Sequence, residues 1–305
     1  MEPIFDVKKT DSIKDLVDQF KDVGGFTAAK VYTARRIWND MQKEDCFKFL
    51  SFPSCLIATG IRGVIKDLVK DKKVDLIITT AGTVALDFIR CYRDFYKGSF
   101  MLDDKELRKK HLFRLGSVII KEEDYGAFLE DKLQPYFEKL YSIKKSWPTY
   151  ELIWKIGEFL EKDSSKKEES ILYWAYKNKI PIIVPGITDG AFGSQLWQFW
   201  QDHKDFNIDL FSDEQLLADI VFKHKKTGAL ILGGGISKHH TIWWNQFKDG
   251  LDYAVYITTA PEYDGSLSGA RMREAISWGK LSENAKYVTV EGDATLILPL
   301  IVYGN

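Results

Sequence analysis

The sequence predicts one α/β domain, residues 1–305, built on a single doubly wound and mostly parallel sheet of the Rossmann-like kind. Three observations predict it: short apolar runs, stretches of helical periodicity between them, and no internal repeat. Because the runs are apolar on both faces, helices are expected to cover the sheet on each side. The runs lie at 47–52, 74–80, 116–120, 180–186, 227–235, 252–260 and 287–292.

A helical extension over residues 1–45 is predicted ahead of this sheet. Amphipathic periodicity covers Ser12 to Phe20 and Thr27 to Met41. The charged stretch 161–170 is interpreted as a solvated turn between helices, because the alternation of strands and helices resumes directly after it.

Composition and charge exclude several classes of function. The chain is 45% hydrophobic and 29% charged with a net charge of −1, which argues against nucleic acid as the main partner. Its three cysteines lack Cys-x-x-Cys spacing and its five histidines lie away from them, so no metal site is expected. Neither a membrane span nor a signal peptide is recognisable. We therefore expect a cytoplasmic protein with reduced thiols.

Glycine-rich and acidic segments follow several of the predicted strands. Ligands of doubly wound folds bind at the carboxyl ends of the strands, so these segments are expected to line one crevice. Glycines 233–235 open a helix and favour a bound pyrophosphate, although they do not form G-x-G-x-x-G and are a weak signal alone. Asp189, Asp264 and Asp293 fit two interpretations, as ribose ligands or as turn and helix caps.

Histidine and tryptophan residues follow that glycine loop. His239 and His240 project to different sides of their helix, so at most one faces the crevice, either for proton transfer or simply as a cap or core residue. Trp243 and Trp244 are expected to belong to the core.

A lysine directly follows the end of a short amphipathic helix near the carboxyl terminus. Glu274 and Trp278 are four residues apart, Gly279 ends the helix, and Lys280 comes next. The lysine fits a cation at a helix carboxyl end, or a nucleophilic amine. In the second interpretation Glu274 and the face of Trp278 bind a cationic substrate.

The segment from Gly233 to Lys280 resembles deoxyhypusine synthase, particularly its archaeal members. It carries "GGGISKHH", "DYAVYITTA", "EYDGSLSGAR" and "EAISWGK", and the similarity extends through "ATGIRG", "ITTAGTV", "YKGSF", "PGITDGAFG" and "EGDATLILP". These motifs occur in the family's order over nearly the whole chain after about residue 45.

The resemblance implies the deoxyhypusine synthase fold and NAD-dependent transfer of the 4-aminobutyl group of spermidine. In that family an active-site lysine holds the fragment as an imine, and the acceptor is one lysine of the hypusine-carrying translation factor precursor. The family resemblance also implies a homotetramer with active sites at dimer interfaces.

Residue roles carry over motif by motif. Lys280 and His239 match the catalytic positions. The substrate-binding set implied is His239, Gly265, Ser266, Arg271, Glu274, Trp278 and Lys280. The cofactor-binding set implied is Ser54, Cys55, Leu56, Ile57, Ala58, Thr80, Ala81, Gly82, Asp189, Gly234, Thr259, Ala260, Asp264, Asp293 and Ala294.

Several positions depart from the eukaryotic pattern of the family. Cys55 replaces a usual asparagine, and four positions lack the acids found there: Ala85, Leu86, Ser194 and Leu267. Fewer carboxylates favour a changed amine substrate, so two alternatives stay open. One is a related aminobutyltransferase with another amine donor or acceptor, for example agmatine or a homospermidine-type product. The other is an NAD-binding paralogue without catalytic activity.

Overall fold

The computed structural model describes residues 3–304. Its α-helices are α1 (Ile13–Gln19), α2 (Phe26–Lys43), α3 (Cys55–Ala58), α4 (Arg62–Lys70), α5 (Ala81–Arg90), α6 (Asp104–Lys109), α7 (Gly126–Ile143), α8 (Thr149–Asp163), α9 (Ile171–Asn178), α10 (Ala191–Asp202), α11 (Leu210–Lys223), α12 (Ile236–Asn245), α13 (Glu274–Ser277) and α14 (Ala294–Val302). Its strands are β1 (Phe47–Ser51), β2 (Leu76–Ile78), β3 (Tyr96–Lys97), β4 (Leu112–Leu115), β5 (Val118–Lys121), β6 (Ser146–Trp147), β7 (Ile182–Ile183), β8 (Asn207–Ile208), β9 (Thr227–Leu232), β10 (Leu251–Thr258) and β11 (Leu281–Glu291).

The chain divides into two compact units. The first contains the residues up to Phe52, Lys73–Ile78 and the residues from Leu216 onward, and the second contains Pro53–Lys72 and Thr79–Gln215. The expectation of a single domain stays a prediction.

The first unit contributes five parallel strands in the order β11, β10, β9, β1, β2. Every residue of β9 is buried, which explains why its run is apolar on both faces. Helix α2 packs against β10 and β11, and α12 packs against β1, β2 and β9. A parallel sheet covered by helices confirms the predicted α/β class.

The amino-terminal helices agree with the sequence prediction. Helix α1 begins after Ser12, whose side chain accepts a hydrogen bond from Asp15 N at 3.2 Å, and α2 covers the second amphipathic stretch. The charged stretch 161–170 is a connection between helices as predicted: α8 ends at Asp163 and α9 begins at Ile171.

The second unit holds two small sheets and most of the remaining helices. One sheet has the antiparallel order β3, β5, β4, and the other pairs β6 with β8 in parallel. The prediction that the run 116–120 belongs to the parallel sheet is therefore wrong. Gly116, at a φ of +61°, lies in the two-residue connection between β4 and β5, which makes this run part of a hairpin.

The sequence predictions about membrane spans and cysteines can be compared with the structure. Within residues 3–304 no helix is both long and apolar enough to cross a membrane. The three cysteines all lie in this described part, and no disulfide joins them.

A buried ion pair connects three helices of the second unit. The Asp87 carboxylate on α5 accepts hydrogen bonds from Arg62 Nε at 2.6 Å, Ser170 Oγ at 2.7 Å and Leu172 N at 3.0 Å. The Asp87 side chain is fully buried and that of Arg62 is nearly so. One carboxylate thus neutralises the α4 guanidinium and satisfies donors at the start of α9.

Replacing Asp87 by alanine should lower the free energy of unfolding by about 3–5 kcal/mol, because the buried Arg62 guanidinium would keep only the exposed carboxylate of Glu169, 3.8 Å away, as an ion-pair partner. The matched control is Asp94→Ala, which removes an exposed partner of Lys166 and should change stability by less than about 1 kcal/mol. Urea unfolding followed by circular dichroism measures both variants. Equal stability of the two would contradict this account of the buried pair.

Candidate active site

The candidate site lies in the first unit, beyond the carboxyl ends of β9 and β10. Gly233 and Gly235 have φ of +70° and +79°, so they let the chain turn sharply from β9 into α12. The loop after β10 leads to α13, and Gly279 at φ +65° ends that short helix and directs the chain to Lys280. Three chain segments therefore converge on one region.

A cavity of about 300 Å³ lies between these segments. Five of its lining residues belong to the substrate-binding set predicted from the sequence: His239, Arg271, Glu274, Trp278 and Lys280. Leu267, one of the positions that lack the family's acid, also lines the cavity.

Lys280 is buried, with 7% of its surface exposed. Its Nζ lies 5.0 Å from the ring centroid of Trp278 and 5.1 Å from that of Trp243. The Lys280 backbone N donates to Ala275 O at 2.9 Å, and its O accepts from Leu251 N at 3.2 Å. These two bonds hold the backbone of Lys280 in place at the wall of the cavity.

The two neighbouring histidines differ as the sequence predicts. His239 lines the cavity, and its pKa is lowered from the ordinary value by burial and by the charge of Lys280. Burial lowers the pKa of His240 to about 4, and this residue is not among those lining the cavity. His239 is therefore uncharged at neutral pH, in a form that can accept a proton.

Lys238 belongs to the site but was not predicted to. It is 1% exposed, and its Nζ donates to Leu267 O at 2.7 Å and to Ala270 O at 2.6 Å. Its Nζ also lies 3.8 Å from the ring centroid of Tyr256. This amine fastens the loop after β10 to helix α12. Burial lowers the pKa of Lys238 to about 7, while Glu274 acts in the opposite direction.

The same loop is bound to β10 at Ser268. The Ser268 carbonyl accepts from Tyr256 Oη at 2.6 Å and from Thr258 Oγ1 at 2.9 Å. A Cβ on Gly234 would overlap the Ser268 side chain and backbone. Gly234, predicted to contact the cofactor, therefore has a packing requirement of its own.

The other predicted residues of this unit are placed around the loop and the strand ends. Arg271 donates to Ala260 O at 3.1 Å, and its Nε lies 3.6 Å from Glu262 and 3.8 Å from Glu291. Asp264 accepts from the Ser266 hydroxyl, beside Gly265. Thr259 and Asp264 are exposed, and Asp293, just before Ala294, caps α14 by accepting from Thr295 N at 2.8 Å.

The remaining predicted cofactor residues belong to the second unit. Leu56, Ile57 and Ala58 of α3 are buried, whereas Ser54 is half-buried and Cys55 exposed. Ser54 N donates to Thr80 Oγ1 at 3.1 Å, and a Cβ on Gly82 would lie 2.6 Å from Ser54 Oγ. These contacts bring Ser54 next to Thr80, Ala81 and Gly82 at the start of α5. Asp189 is exposed just before α10.

Two of the positions that depart from the family pattern are core residues of this unit. Ala85 is fully buried and Leu86 is 3% exposed, while Ser194 is exposed on α10.

Within residues 3–304, no three or more histidine, cysteine, aspartate or glutamate side chains lie close enough together to hold a metal ion.

Comparison with known proteins places these features in one family. Residues 15–305 match the family model "DS: Deoxyhypusine synthase". A relative in Thermoplasma volcanium named "Probable deoxyhypusine synthase" is 57% identical over 95% of this chain and 92% of its own length. One of the same name in Sulfurisphaera tokodaii is 49% identical over 95% and 93%.

A solved structure agrees with this result, and a second one shares the fold. A protein from Entamoeba histolytica assigned as a deoxyhypusine synthase superposes with a TM-score of 0.67 at 25% identity, covering 99% of this chain and 95% of that one. AgrE, in a ternary complex with ornithine and NAD⁺, has a TM-score of 0.53 at 13% identity over 90% of this chain and 32% of that one, a likeness of fold alone.

Fold and site together define an α/β protein with a buried lysine amine in an aromatic cavity. The chain belongs to the deoxyhypusine synthase family.

Replacing Lys238 by methionine should remove a pH dependence of stability. Its folded pKa of about 7 lies below the unfolded value near 10.4, so between these pH values the unfolded chain binds more protons and the native fold gains stability as pH rises. The free energy of unfolding of the unmodified chain should therefore rise relative to that of Lys238→Met by up to about 1.4 kcal/mol per pH unit. Urea unfolding at pH 7, 8 and 9 measures this difference. If the free energies of unfolding of the two proteins change with pH in parallel, the buried Lys238 amine keeps an ordinary pKa.

Proposed function

We propose that this chain is an NAD-dependent aminobutyltransferase that moves the 4-aminobutyl group of spermidine to one lysine of the hypusine-carrying translation factor precursor. The observation that carries the proposal is the buried Lys280 amine, in one cavity with His239, Glu274 and Trp278. Family membership supports the reaction class, because the matched motifs include the segment that ends in this lysine.

Lys280 is the covalent carrier in this proposal. If bound, NAD would supply hydride chemistry: it would accept a hydride from the polyamine and, as NADH, give it to the imine formed on the acceptor lysine, so the transfer would have no net redox change. The Lys280 amine attacks the carbon of the oxidised substrate imine, and 1,3-diaminopropane leaves as the C–N bond to it breaks. The acceptor lysine then attacks the carbon of the Lys280 imine and releases the Lys280 amine.

The neighbouring side chains bind substrate and move protons. Glu274 accepts hydrogen bonds from a substrate ammonium group, and the indole of Trp278 attracts the same positive charge. The uncharged imidazole of His239 takes a proton from an attacking amine and returns it to the leaving amine. These roles require only residues that line the cavity.

The residues proposed for NAD belong to both units. In each unit they include the start of a helix that suits a negatively charged phosphate group. Helices α5 and α12 each have ten residues, and among the described residues no side chain caps either amino terminus. Their free backbone N–H groups and positive dipole ends favour a phosphate. The open space where a Cβ of Gly235 would lie permits close approach of a ligand.

The assembly and location of the enzyme are part of the proposal. We infer a cytoplasmic homotetramer with active sites at dimer interfaces, from the family resemblance. Trp278 and Trp243 are 65% and 40% exposed beside the cavity, as expected of a site that a second subunit completes.

A specific observation favours a second candidate, an aminobutyltransferase with a different amine donor. Leu267 lines the cavity with an apolar side chain, and Glu274 is the single carboxylate among the described residues that line it. A cavity with few carboxylates suits an amine with fewer charges than spermidine.

Lys280→Arg should abolish covalent capture of the substrate. The unmodified protein, incubated with NAD and spermidine and then treated with borohydride, should gain the mass of one aminobutyl group on Lys280. The arginine variant should gain none, because a guanidinium is always charged and does not form the imine. Lys286→Arg, an exposed strand position paired with Asp40, is the matched control and should still be labelled.

Intact-protein and peptide mass spectrometry read out this experiment. Labelling with agmatine in place of spermidine would establish the second candidate. Absence of labelling with every amine, in a protein that binds NAD, would overturn the transferase proposal.

A further inference from the structure

Trp243 lies in the cavity, although the sequence predicted a core residue. It is 40% exposed on α12 and lines the cavity together with Lys280 and Trp278. The expectation that Trp243 belongs to the core is therefore wrong. Helical geometry gives the reason, because Trp243 is four residues from His239 and so lies on the same side of α12.

The indole of Trp243 is oriented by two neighbours. The His239 ring is 5.5 Å away at an angle of 34°, and the Phe247 ring is 6.3 Å away and nearly perpendicular. With this support its ring centroid is 5.1 Å from Lys280 Nζ, nearly the same distance as the centroid of Trp278. Both distances fall within the range of a cation–π interaction.

The cavity has little negative charge with which to attract an amine. Its described lining includes Lys238, Arg271 and Lys280 but one carboxylate, Glu274. Carboxylates alone therefore leave a polycationic substrate underneutralised. Two indole faces next to the reactive amine supply attraction for a positive charge in a cavity whose described lining offers one carboxylate.

We propose that Trp243 and Trp278 form an aromatic slot that binds the cationic end of an alkyl amine beside Lys280, and that Trp243 is an amine-binding residue of this site. The inference rests on the proposed function for the identity of the amine. It assigns to tryptophan faces much of the substrate recognition that carboxylates would otherwise provide.

The test compares amine affinity and labelling in three variants of the full chain. Trp243→Leu keeps an apolar side chain and removes the π face, Trp243→Phe keeps a weaker π face, and Trp244→Leu is the control on the same helix. Calorimetric titration with spermidine in the presence of NAD should show about 5- to 30-fold weaker binding by Trp243→Leu, an intermediate loss for Trp243→Phe and less than a 2-fold change for Trp244→Leu. Thermal unfolding shows whether each variant is folded.

Borohydride labelling separates this inference from the proposed function. Suppose that the unmodified protein is labelled and that Trp243→Leu binds spermidine as tightly as the unmodified protein. The slot is then overturned, and the proposed function stands. If the unmodified protein binds spermidine without being labelled, and Trp243→Leu weakens that binding, the slot stands and the transferase proposal falls. Failure of the unmodified protein to bind spermidine overturns the slot. If Trp243→Leu does not fold, Trp243→Phe decides. Weaker spermidine binding by that variant supports the slot, and unchanged binding overturns it.

Discussion

The candidate site depends on the bonds that a buried amine makes to the backbone of a loop. Lys238 on α12 donates to the carbonyls of Leu267 and Ala270. These bonds connect the first turn of α12 to the loop after β10, and both segments line the cavity. The loop is also held by β10 through the Ser268 carbonyl. Since polar groups buried without partners are costly, these bonds select one loop conformation. The cavity walls, and with them the surroundings of Lys280, follow from that conformation.

The sequence singled out several titratable residues of the cavity but not the residues that support its walls. Lys280, His239 and Glu274 could be found because each is a titratable residue at a strand or helix end within a recognisable motif. Lys238 gave no such signal, because a lysine in the first turn of a helix is usually solvated. Its burial depends on a loop about 30 residues further along the chain. Trp243 was misassigned for a similar reason, since exposure of an indole depends on what the tertiary fold places against it.

The fold was predicted in class but not in every element. The buried parallel strands β9 and β10 were evident from apolar runs, whereas the run 116–120 belongs to an antiparallel hairpin. Gly116 and Ser117 between two short apolar runs were the available signal for that turn. The role of Asp87 was not visible in the sequence, because its partners Arg62 and Ser170 lie 25 and 83 residues away.

Burial lowers the positive charge of two basic side chains that line the cavity, Lys238 and His239. The uncharged His239 adds none at neutral pH, and Lys238, with a pKa of about 7, is only partly charged and is directed toward carbonyl oxygens. Arg271 is directed toward Glu262 and Glu291. A cationic amine that enters therefore meets less repulsion than the count of basic residues implies. For the cationic substrate of the proposed function, burial of the basic side chains thus matters more than added acids.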